Sequence, residues 1–291
     1  MNKDLPLRIL SLGAGVQSTT VLLMAIAGDI PPIDLAIFAD TGWEPKAVYN
    51  HLELLKIEAE RASIPLVTVS VGNIHDDHLS PEGSEHLFIR NPRKHPEYLG
   101  KQRTFIPFYV VGAEGKQGKT FRTCTKTYKI EPVEQELRRR LGLKPYQAWP
   151  SEHRIDQLFG ISFDETERMR DSRRPSIVNH YPLVDMRITR DGCHKWMADR
   201  GWTAPRSACI GCPFHRNDEW RNLRDNYPDE FADAVKFDEV FRARQQAGLT
   251  PIQGTPYIHD QRVPLADAIL DVPDDPQMSF FGEDCDGMCG T

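Results

Sequence analysis

The stretch Ser11-Leu-Gly-Ala-Gly-Val-Gln-Ser-Thr19 joins an apolar segment, residues 7–12, to a helical pattern over residues 16–27. Its two glycines allow a ligand to approach the backbone closely. The first N–H groups of a helix lack intrahelical partners and carry partial positive charge, so they suit a phosphate, to which Ser11, Ser18 and Thr19 would add hydroxyl donors. The stretch is neither a Walker loop nor a G-x-G-x-x-G motif. It predicts a nucleotide phosphate site, with an ordinary strand–helix turn as the alternative.

Strand and helix patterns alternate through the first 75 residues. Apolar runs at 7–12, 33–39 and 65–71 predict strands, and the patterns at 16–27 and 45–62 predict helices. This alternation is typical of an α/β fold with a doubly wound parallel sheet. Ligands bind outside the carboxyl ends of such strands, where both the glycine stretch and Asp40-Thr-Gly42 are placed by this prediction.

The rest of the chain predicts a mostly helical C-terminal part. We expect helices at about 130–141, 151–159, after 164, and at 192–200, 218–226 and 229–247, with a strand at 181–186. The predicted domains are a nucleotide-binding α/β domain (1–190), a helical cysteine-containing subdomain (191–270) and a flexible acidic tail (271–291). An insertion at about 72–120 is a candidate lid or substrate loop.

Charge is unevenly distributed along the 291 residues. The net charge is −6, but residues 90–140 contain thirteen Lys or Arg and five Asp or Glu, a balance of +8 that leaves −14 for the remainder. Such a segment suits a polyanion, either nucleotide phosphates or a nucleic acid such as DNA or tRNA. A solvated basic face is the alternative.

The sequence contains no apolar run long enough for a membrane span and no recognisable secretion signal. We therefore expect a cytoplasmic protein without a membrane partner. Six cysteines are too few for a disulfide scaffold of this size, so a reducing compartment favours metal or redox roles for them.

Cys209-Ile-Gly-Cys212 is a tight C-x-x-C turn that can direct two sulfurs at one metal. Cys124 and Cys193 are candidates for the other two ligands, giving a four-thiolate set for an iron–sulfur cluster or zinc. A thioredoxin-like dithiol and an absence of metal are the alternatives. Cys285 and Cys289 in the tail are either redox-active or simply exposed thiols.

The segment Arg122-Thr-Cys124-Thr-Lys-Thr-Tyr-Lys129 combines three cations with three threonines just before a predicted helix. Next to a candidate metal ligand, this composition predicts an anion clamp, with a solvated helix start as the alternative.

Together these motifs resemble the phosphoadenosine phosphosulfate (PAPS) reductase family of the PP-loop adenine nucleotide alpha-hydrolase-like superfamily. The glycine stretch is similar to the superfamily's pyrophosphate loop, and Asp40-Thr41-Gly42 to its second-strand motif. The family's R-x-C-T…K-I-x-P segment is matched at 122–132. Three further matches follow in order, at 160–168, at 181–183 and at 209–220. The resemblance covers roughly residues 7–225.

The resemblance implies a doubly wound sheet and assigns roles to the matched residues. It implies ATP, Mg²⁺ and an iron–sulfur cluster of the 4Fe–4S type as cofactors. The residues implied to hold the nucleotide are Ser11, Gly13, Gly15, Gln17, Ser18, Thr19, Thr41, Gly42 and Gly160. Those implied for catalysis are Asp40, Arg122 and Lys129, and those for the cluster are Cys124, Cys193, Cys209 and Cys212.

Two departures from the family's pattern matter. Gln17 stands where the superfamily usually has an acid, which argues against metal-assisted phosphate handling at that position. Thr123-Cys124 replaces the adjacent cysteine pair of iron–sulfur sulfonucleotide reductases, and Cys285-Asp-Gly-Met-Cys289 stands in place of their catalytic E-C-G tail, so sulfonucleotide reduction is disfavoured. We therefore expect an ATP pyrophosphatase that adenylates a substrate for sulfur transfer, in the manner of the enzymes of DNA phosphorothioate modification. A cysteine desulfurase or other sulfur donor would be its partner. The alternatives are a PAPS or APS reductase that releases sulfite, and a non-catalytic nucleotide or redox sensor.

Overall fold

A computed structural model describes residues 5–79 and 103–272, and its centre is a five-stranded parallel sheet. In chain order the strands are β1 (Leu7–Leu12), β2 (Leu35–Ala39), β3 (Leu66–Val69), β4 (Tyr109–Val111), β5 (Gln117–Lys119), β6 (Ile155–Phe159), β7 (Ile177–His180) and β8 (Thr255–Tyr257). The central sheet has the order β3-β2-β1-β6-β7. The strand order therefore reverses at β1, and ligands of open α/β sheets bind at such a switch point.

Eight α-helices lie in the described part of the chain: α1 (Val16–Ala27), α2 (Lys46–Arg61), α3 (Ile74–Leu79), α4 (Glu131–Arg140), α5 (Pro182–Asp185), α6 (Arg190–Ala198), α7 (Asn217–Asn226) and α8 (Pro228–Gln246). A π-helical turn, Thr125–Ile130, leads into α4. Within the described ranges, every helix is too short or too polar to cross a bilayer.

Helices cover both faces of the central sheet. On one face, Leu10, Phe38 and Leu158 pack against α1, α2 and α6. On the other face, Ile9 and Ile37 pack against α4. The fold is therefore α/β with a doubly wound parallel sheet, as the alternating pattern predicted.

A second core lies beside this domain and is rich in aromatic rings. It contains Phe108, Trp220, Phe237 and Phe241, contributed by α7, α8 and the chain around β4. An antiparallel sheet of order β5-β4-β8 belongs to this part. Segments near residue 105 and near residue 258 therefore fold together, whereas α6 packs on α1 in the first core. The domain limits drawn from the sequence stay a prediction.

The helix expected at 151–159 is wrong, because this segment contains the central strand β6. All five residues of β6 are buried, and β6 pairs with β1 on one side and β7 on the other. Its polar residues obscured the strand pattern, but each has a partner. Asp156 accepts hydrogen bonds from His153 (3.0 Å) and His180 (2.8 Å), and Gln157 donates to Ser11 (2.8 Å).

The strand expected at 181–186 is also wrong. The strand ends at His180, and the short helix α5 begins at Pro182. Proline has no N–H for a strand ladder, but it suits the first turn of a helix, where that N–H has no partner.

A buried histidine organises the second core and predicts a pH dependence. The His78 Nε2 accepts from the Phe105 N–H at 3.0 Å, so its Nδ1 donates to the Ile74 carbonyl at 2.6 Å. Burial lowers the pKa of His78 to about 4. In the unfolded chain the His78 imidazole therefore binds a proton below about pH 6.5, whereas in the folded chain it does so only below about pH 4. We expect the free energy of unfolding to be largest above pH 6.5 and to fall as the pH is lowered towards 4.

Urea titrations at pH 7.5 and pH 5 would measure this loss, which is on the order of 2 kcal/mol for such a histidine. Burial also lowers the pKa of His51 to about 4 and that of His215 to about 3, so the three losses add. The variant His78→Gln should show a smaller pH dependence than the wild type. Equal stability of the wild type at both pH values would contradict the prediction.

Candidate active site at the carboxyl edge of the sheet

The glycine stretch forms a tight connection between β1 and α1 at the carboxyl edge of the sheet. Ala14 takes the left-handed backbone conformation (φ 56°), so the strained residue is not one of the glycines that flank it. Gly15 is the N-cap of α1 and provides no side-chain cap, and the first turn contains no acidic residue. The positive end of the α1 dipole thus lies at this edge, and the first turn of α1 contributes no carboxylate of its own to neutralise it.

Two of the three hydroxyls expected to contact phosphate make hydrogen bonds that shape the loop. The Ser18 Oγ accepts from the Gly13 N–H at 3.1 Å and donates to the Gly15 carbonyl at 3.4 Å. The Ser11 Oγ accepts from Gln157 at 2.8 Å. Ser18 therefore uses its proton within the loop, whereas the Ser11 hydroxyl only accepts in this contact and can still donate its proton to an anion, as can the backbone N–H groups.

The third hydroxyl, that of Thr19, is fully buried and lies 3.0 Å from the His51 Nε2 of α2, so it does not face the loop.

Because the Thr19 hydroxyl contacts α2, we expect Thr19→Val to lower the free energy of unfolding by about 1 kcal/mol but to change the Kd for ATP less than about twofold. Ser18→Ala, which removes the hydrogen bonds that close the loop, should weaken ATP binding about fivefold to tenfold. Calorimetric titration with ATP, paired with thermal unfolding of both variants, checks this contrast. Equal losses of ATP affinity would contradict it.

Gly160 follows β6 and lies directly against the first turn of α1. A Cβ at Gly160 would lie 2.5 Å from the Ser18 backbone nitrogen, so this contact requires glycine. Next to it, the Gln17 amide nitrogen donates to the Glu165 Oε2 at 3.0 Å and to the Ser162 Oγ at 3.4 Å. The Gln17 Oε1 is buried without a hydrogen-bond partner.

Glu165 is a site residue that was not assigned a role from the sequence. It brings a carboxylate to the position where Gln17 replaces the usual acid of the loop, and it also accepts from Arg168 at 2.8 Å. Its place in the 160–168 match was the available signal. The carboxylate next to Gln17 thus comes from another part of the chain.

The turn after β2 lies beside the glycine stretch, because β1 and β2 are hydrogen-bonded parallel neighbours. The Asp40 Oδ1 accepts from the Gly42 N–H (2.8 Å) and the Tyr49 hydroxyl (2.9 Å). Burial, reinforced by Asp40, raises the pKa of Tyr49 far above its usual value, so this hydroxyl stays a donor. Gly42 has φ 76°, and a Cβ there would lie 2.8 Å from the Asn73 backbone. Asp40 therefore holds the turn in shape.

A small cavity beside this turn collects three thiols. Cys124, from the start of the π-helical turn, lines it together with Cys209 and Cys212 of the C-x-x-C turn. The other polar side chains that line this thiol cavity are Thr41, Arg122 and Lys129. The thiol cavity is thus lined both by cysteines that were predicted to bind a metal and by Arg122 and Lys129, which were predicted to act in catalysis.

The thiol cavity has a buried acid–base pair at its edge. The Lys129 Nζ lies 3.9 Å from the Glu44 Oε1, which also accepts from the Thr41 hydroxyl at 3.0 Å. The Cys209 Sγ lies 3.2 Å from the Thr41 Oγ1 and 3.6 Å from the Glu44 Oε1. Burial, reinforced by Glu44 and opposed by Lys129, raises the pKa of Cys209 well above its ordinary value. Binding of a metal to this thiol would therefore release a proton.

Trp43, in the turn after β2, holds the C-x-x-C turn in place through a backbone hydrogen bond and through packing of its ring. Its carbonyl accepts from the Ile210 N–H at 2.9 Å, and its Nε1 donates to Asp233 at 2.6 Å. A Cβ at Gly211 would lie 2.1 Å from the Trp43 ring. The glycine between the two cysteines is thus needed for close packing against the β2 turn.

Cys193 lies apart from the other three cysteines. It is fully buried on α6 in the core between α6 and α1, and it contacts Thr20. Burial raises its pKa to about 11, so this thiol is inert at neutral pH. The structure therefore does not bring Cys193 to the position of a fourth ligand. Cys285 and Cys289 lie outside the described residues.

The three thiols of the cavity fit a thiolate-bound metal by their chemistry, since iron–sulfur clusters and structural zinc both take such ligands. With the side chains in their present positions, the described residues contain no group of three or more His, Cys, Asp and Glu side chains that could hold a metal ion. A different arrangement of these side chains and a fourth ligand from elsewhere would be needed. The choice between an iron–sulfur cluster and zinc stays a prediction.

No protein-family model and no curated protein sequence matches this chain. Solved structures do. PAPS reductase from Candida auris, in a phosphate complex, is 12% identical, with 69% of this chain and 76% of that chain covered and a TM-score of 0.40. The U34-tRNA thiolase NcsA from Methanococcus maripaludis, with its [4Fe-4S] cluster, is also 12% identical, with 82% and 73% covered and a TM-score of 0.39.

At 12% identity and TM-scores of 0.40 and 0.39, both are distant likenesses. Neither likeness assigns a ligand or an activity to this chain.

Proposed function

We propose that this protein is an ATP pyrophosphatase that activates an acceptor by adenylation for sulfur transfer, a chemistry that DNA phosphorothioate modification uses. One observation carries the proposal. The positive end of α1, which follows β1, and the thiol cavity lie at the same edge of the sheet, because β1 and β2 are parallel neighbours and the Thr41 Oγ1, in the turn after β2, lies 3.2 Å from the Cys209 Sγ. An anion site next to a three-thiol site suits a reaction that combines a nucleotide with sulfur.

The loop between β1 and α1 would bind the ATP phosphates. Its N–H groups are fixed in place before the reaction, since Ser18 ties the loop at Gly13 and Gly15. Preorganised donors of this kind stabilise the charge that develops on leaving pyrophosphate and are worth several kcal/mol of barrier. Mg²⁺ would be held chiefly by phosphate oxygens and water, because Glu165, the acid nearest Gln17, is already paired with Arg168.

The reaction has two steps. An acceptor oxygen attacks the α-phosphorus, a new P–O bond forms, the bond between the α-phosphorus and its bridging oxygen breaks, and pyrophosphate leaves with that bond's electrons. A sulfur nucleophile at the sulfide level, supplied through a cysteine desulfurase or another donor, then attacks the atom that holds the adenylated oxygen. AMP leaves with that oxygen, so sulfur replaces oxygen in the product.

The thiol cavity would position the sulfur chemistry. Cys124, Cys209 and Cys212 would hold an iron–sulfur cluster or zinc, and a cluster would supply a redox-active, thiophilic centre at this place. Lys129 provides positive charge at the cavity wall, next to Glu44. Arg122 lines the same cavity and is exposed, so its guanidinium would bind an anionic acceptor as it enters.

The test is the identity of the products formed from ATP. We expect the purified protein with Mg²⁺ to produce AMP and pyrophosphate, with water as the attacking oxygen when no acceptor is added, and chelation of Mg²⁺ to stop the reaction. ADP and orthophosphate as products would contradict the proposal. Thioredoxin-dependent sulfite release from PAPS, without ATP cleavage, would identify a reductase instead, and turnover of neither nucleotide would indicate a sensor.

A further inference from the structure

A wide groove of about 1270 Å³ opens beside the thiol cavity. Its walls are the β4–β5 hairpin, the start of the π-helical turn and residues 251–254. The charged side chains along it are four cations and one carboxylate, namely Arg103, Lys116, Lys119, Lys126 and Glu131. In a protein of net charge −6, a groove with a balance of +3 is a local site for a polyanion.

An exposed aromatic ring stands in this groove. Phe121 is 91% exposed, although such a side chain gains free energy when it is buried. Its backbone is held on both sides, because the Thr120 N–H donates to the Phe108 carbonyl at 2.8 Å and the Thr123 N–H donates to the Phe105 carbonyl at 3.0 Å. A ring presented to solvent on a fixed backbone suits the stacking of an unpaired base.

The groove leads to the thiol cavity. The Lys119 Nζ, in the groove, lies 4.5 Å from the centre of the Phe214 ring, which lines the cavity. On the other side, Thr123 of the groove is followed directly by Cys124 of the cavity. A chain lying in the groove with one residue on Phe121 would therefore lie next to the thiol cavity.

We infer that this groove binds a single-stranded nucleic acid, with its phosphates on the cations and one unstacked base on Phe121. That this strand is also the acceptor of sulfur rests on the proposed function, whereas its binding in the groove does not. A duplex keeps its bases stacked and cannot use the ring. An acidic peptide would meet the cations but has no base to stack on the ring.

Fluorescence anisotropy with labelled single strands of about 20 nucleotides, as RNA and as DNA, tests the inference, with a DNA duplex alongside. We expect one or both single strands to bind more tightly than the duplex, and the preferred strand identifies the natural source. Phe121→Ala should weaken single-strand binding about tenfold and leave duplex binding unchanged. Lys116→Gln should lower the slope of log K against log salt by about 0.7.

Two matched variants serve as controls. Tyr146→Ala removes another fully exposed aromatic side chain, and Lys236→Gln removes an exposed lysine on α8, both outside the groove. Both should bind the strands as the wild type does. Tyr146→Ala and Lys236→Gln should also retain the ATP cleavage of the wild type, since neither residue lies in the glycine stretch, the thiol cavity or the groove.

Several outcomes would overturn the inference. These are equal binding of duplex and single strand, wild-type binding by Phe121→Ala and Lys116→Gln, and full displacement of the strand by polyglutamate at an equal charge concentration. Its failure is separable from that of the proposed function. AMP formation without strand binding would contradict only the inference about the groove. Strand binding without AMP formation would support that inference and contradict only the proposed pyrophosphatase activity.

Discussion

Replacement of Gly160 by alanine should lower kcat/KM for ATP cleavage by about a hundredfold or more. The added Cβ would lie 2.5 Å from the Ser18 nitrogen and 2.7 Å from its Cα, and both are backbone atoms of the first turn of α1. Backbone cannot rotate away as a side chain can, so the turn must shift by a large part of an ångström. Displacement of catalytic donors by about 1 Å can cost a hundredfold in rate. Steady-state measurement of AMP formation checks this expectation.

Gly118→Ala is the matched control, because a Cβ there meets no atom within 4 Å and the residue does not need a left-handed backbone. Its rate of AMP formation should equal that of the wild type. Gly160→Ala should remain folded, with a lower thermal unfolding temperature, since overpacking of this kind costs about 1–3 kcal/mol. A Gly160→Ala protein with wild-type ATP affinity and rate would show that the first turn of α1 does not bind the phosphates.

The second large effect concerns the cysteines. Cys124→Ser, Cys209→Ser and Cys212→Ser should each remove most of the metal that we propose binds in the thiol cavity, because the three thiols line that cavity and thiolate is the ligand that an iron–sulfur cluster or zinc prefers. Iron, sulfide and zinc contents of anaerobically prepared protein, together with the visible absorbance spectrum, measure the loss. Iron with sulfide identifies a cluster, and zinc alone identifies a structural site.

Cys193→Ala is the control for this series. Because Cys193 packs in the core between α1 and α6, its loss should cost about 1–2 kcal/mol of stability and leave the metal content unchanged. Loss of metal from Cys193→Ala, with retention in Cys124→Ser, would contradict the ligand set described above. The stability cost and the metal loss are thus expected in different variants.

Local sequence patterns were sufficient where local chemistry decides the structure. The first three strands and their connecting helices follow from apolar periodicity, and the two turns after β1 and β2 follow from their glycines. Parallel neighbouring strands end at one edge, so the meeting of Asp40 with the glycine stretch could also be predicted. The strand β6 could not, because Asp156 and Gln157 are buried with partners from other elements, and periodicity carries no information about such partners.

For this protein, the sequence by itself determined the alternating α/β architecture, the glycine loop at the start of α1 and the placement of the free thiols Cys209 and Cys212 in one turn. Each of these features depends on residues that are close together in the sequence. Only the tertiary structure decided that Cys124 joins that pair while Cys193 does not, that Glu165 supplies the carboxylate near Gln17, and that Thr19 faces His51. These are contacts between residues 32 to 148 positions apart or between separate elements. The packing of whole helices and strands creates them, and no short stretch of sequence encodes that packing.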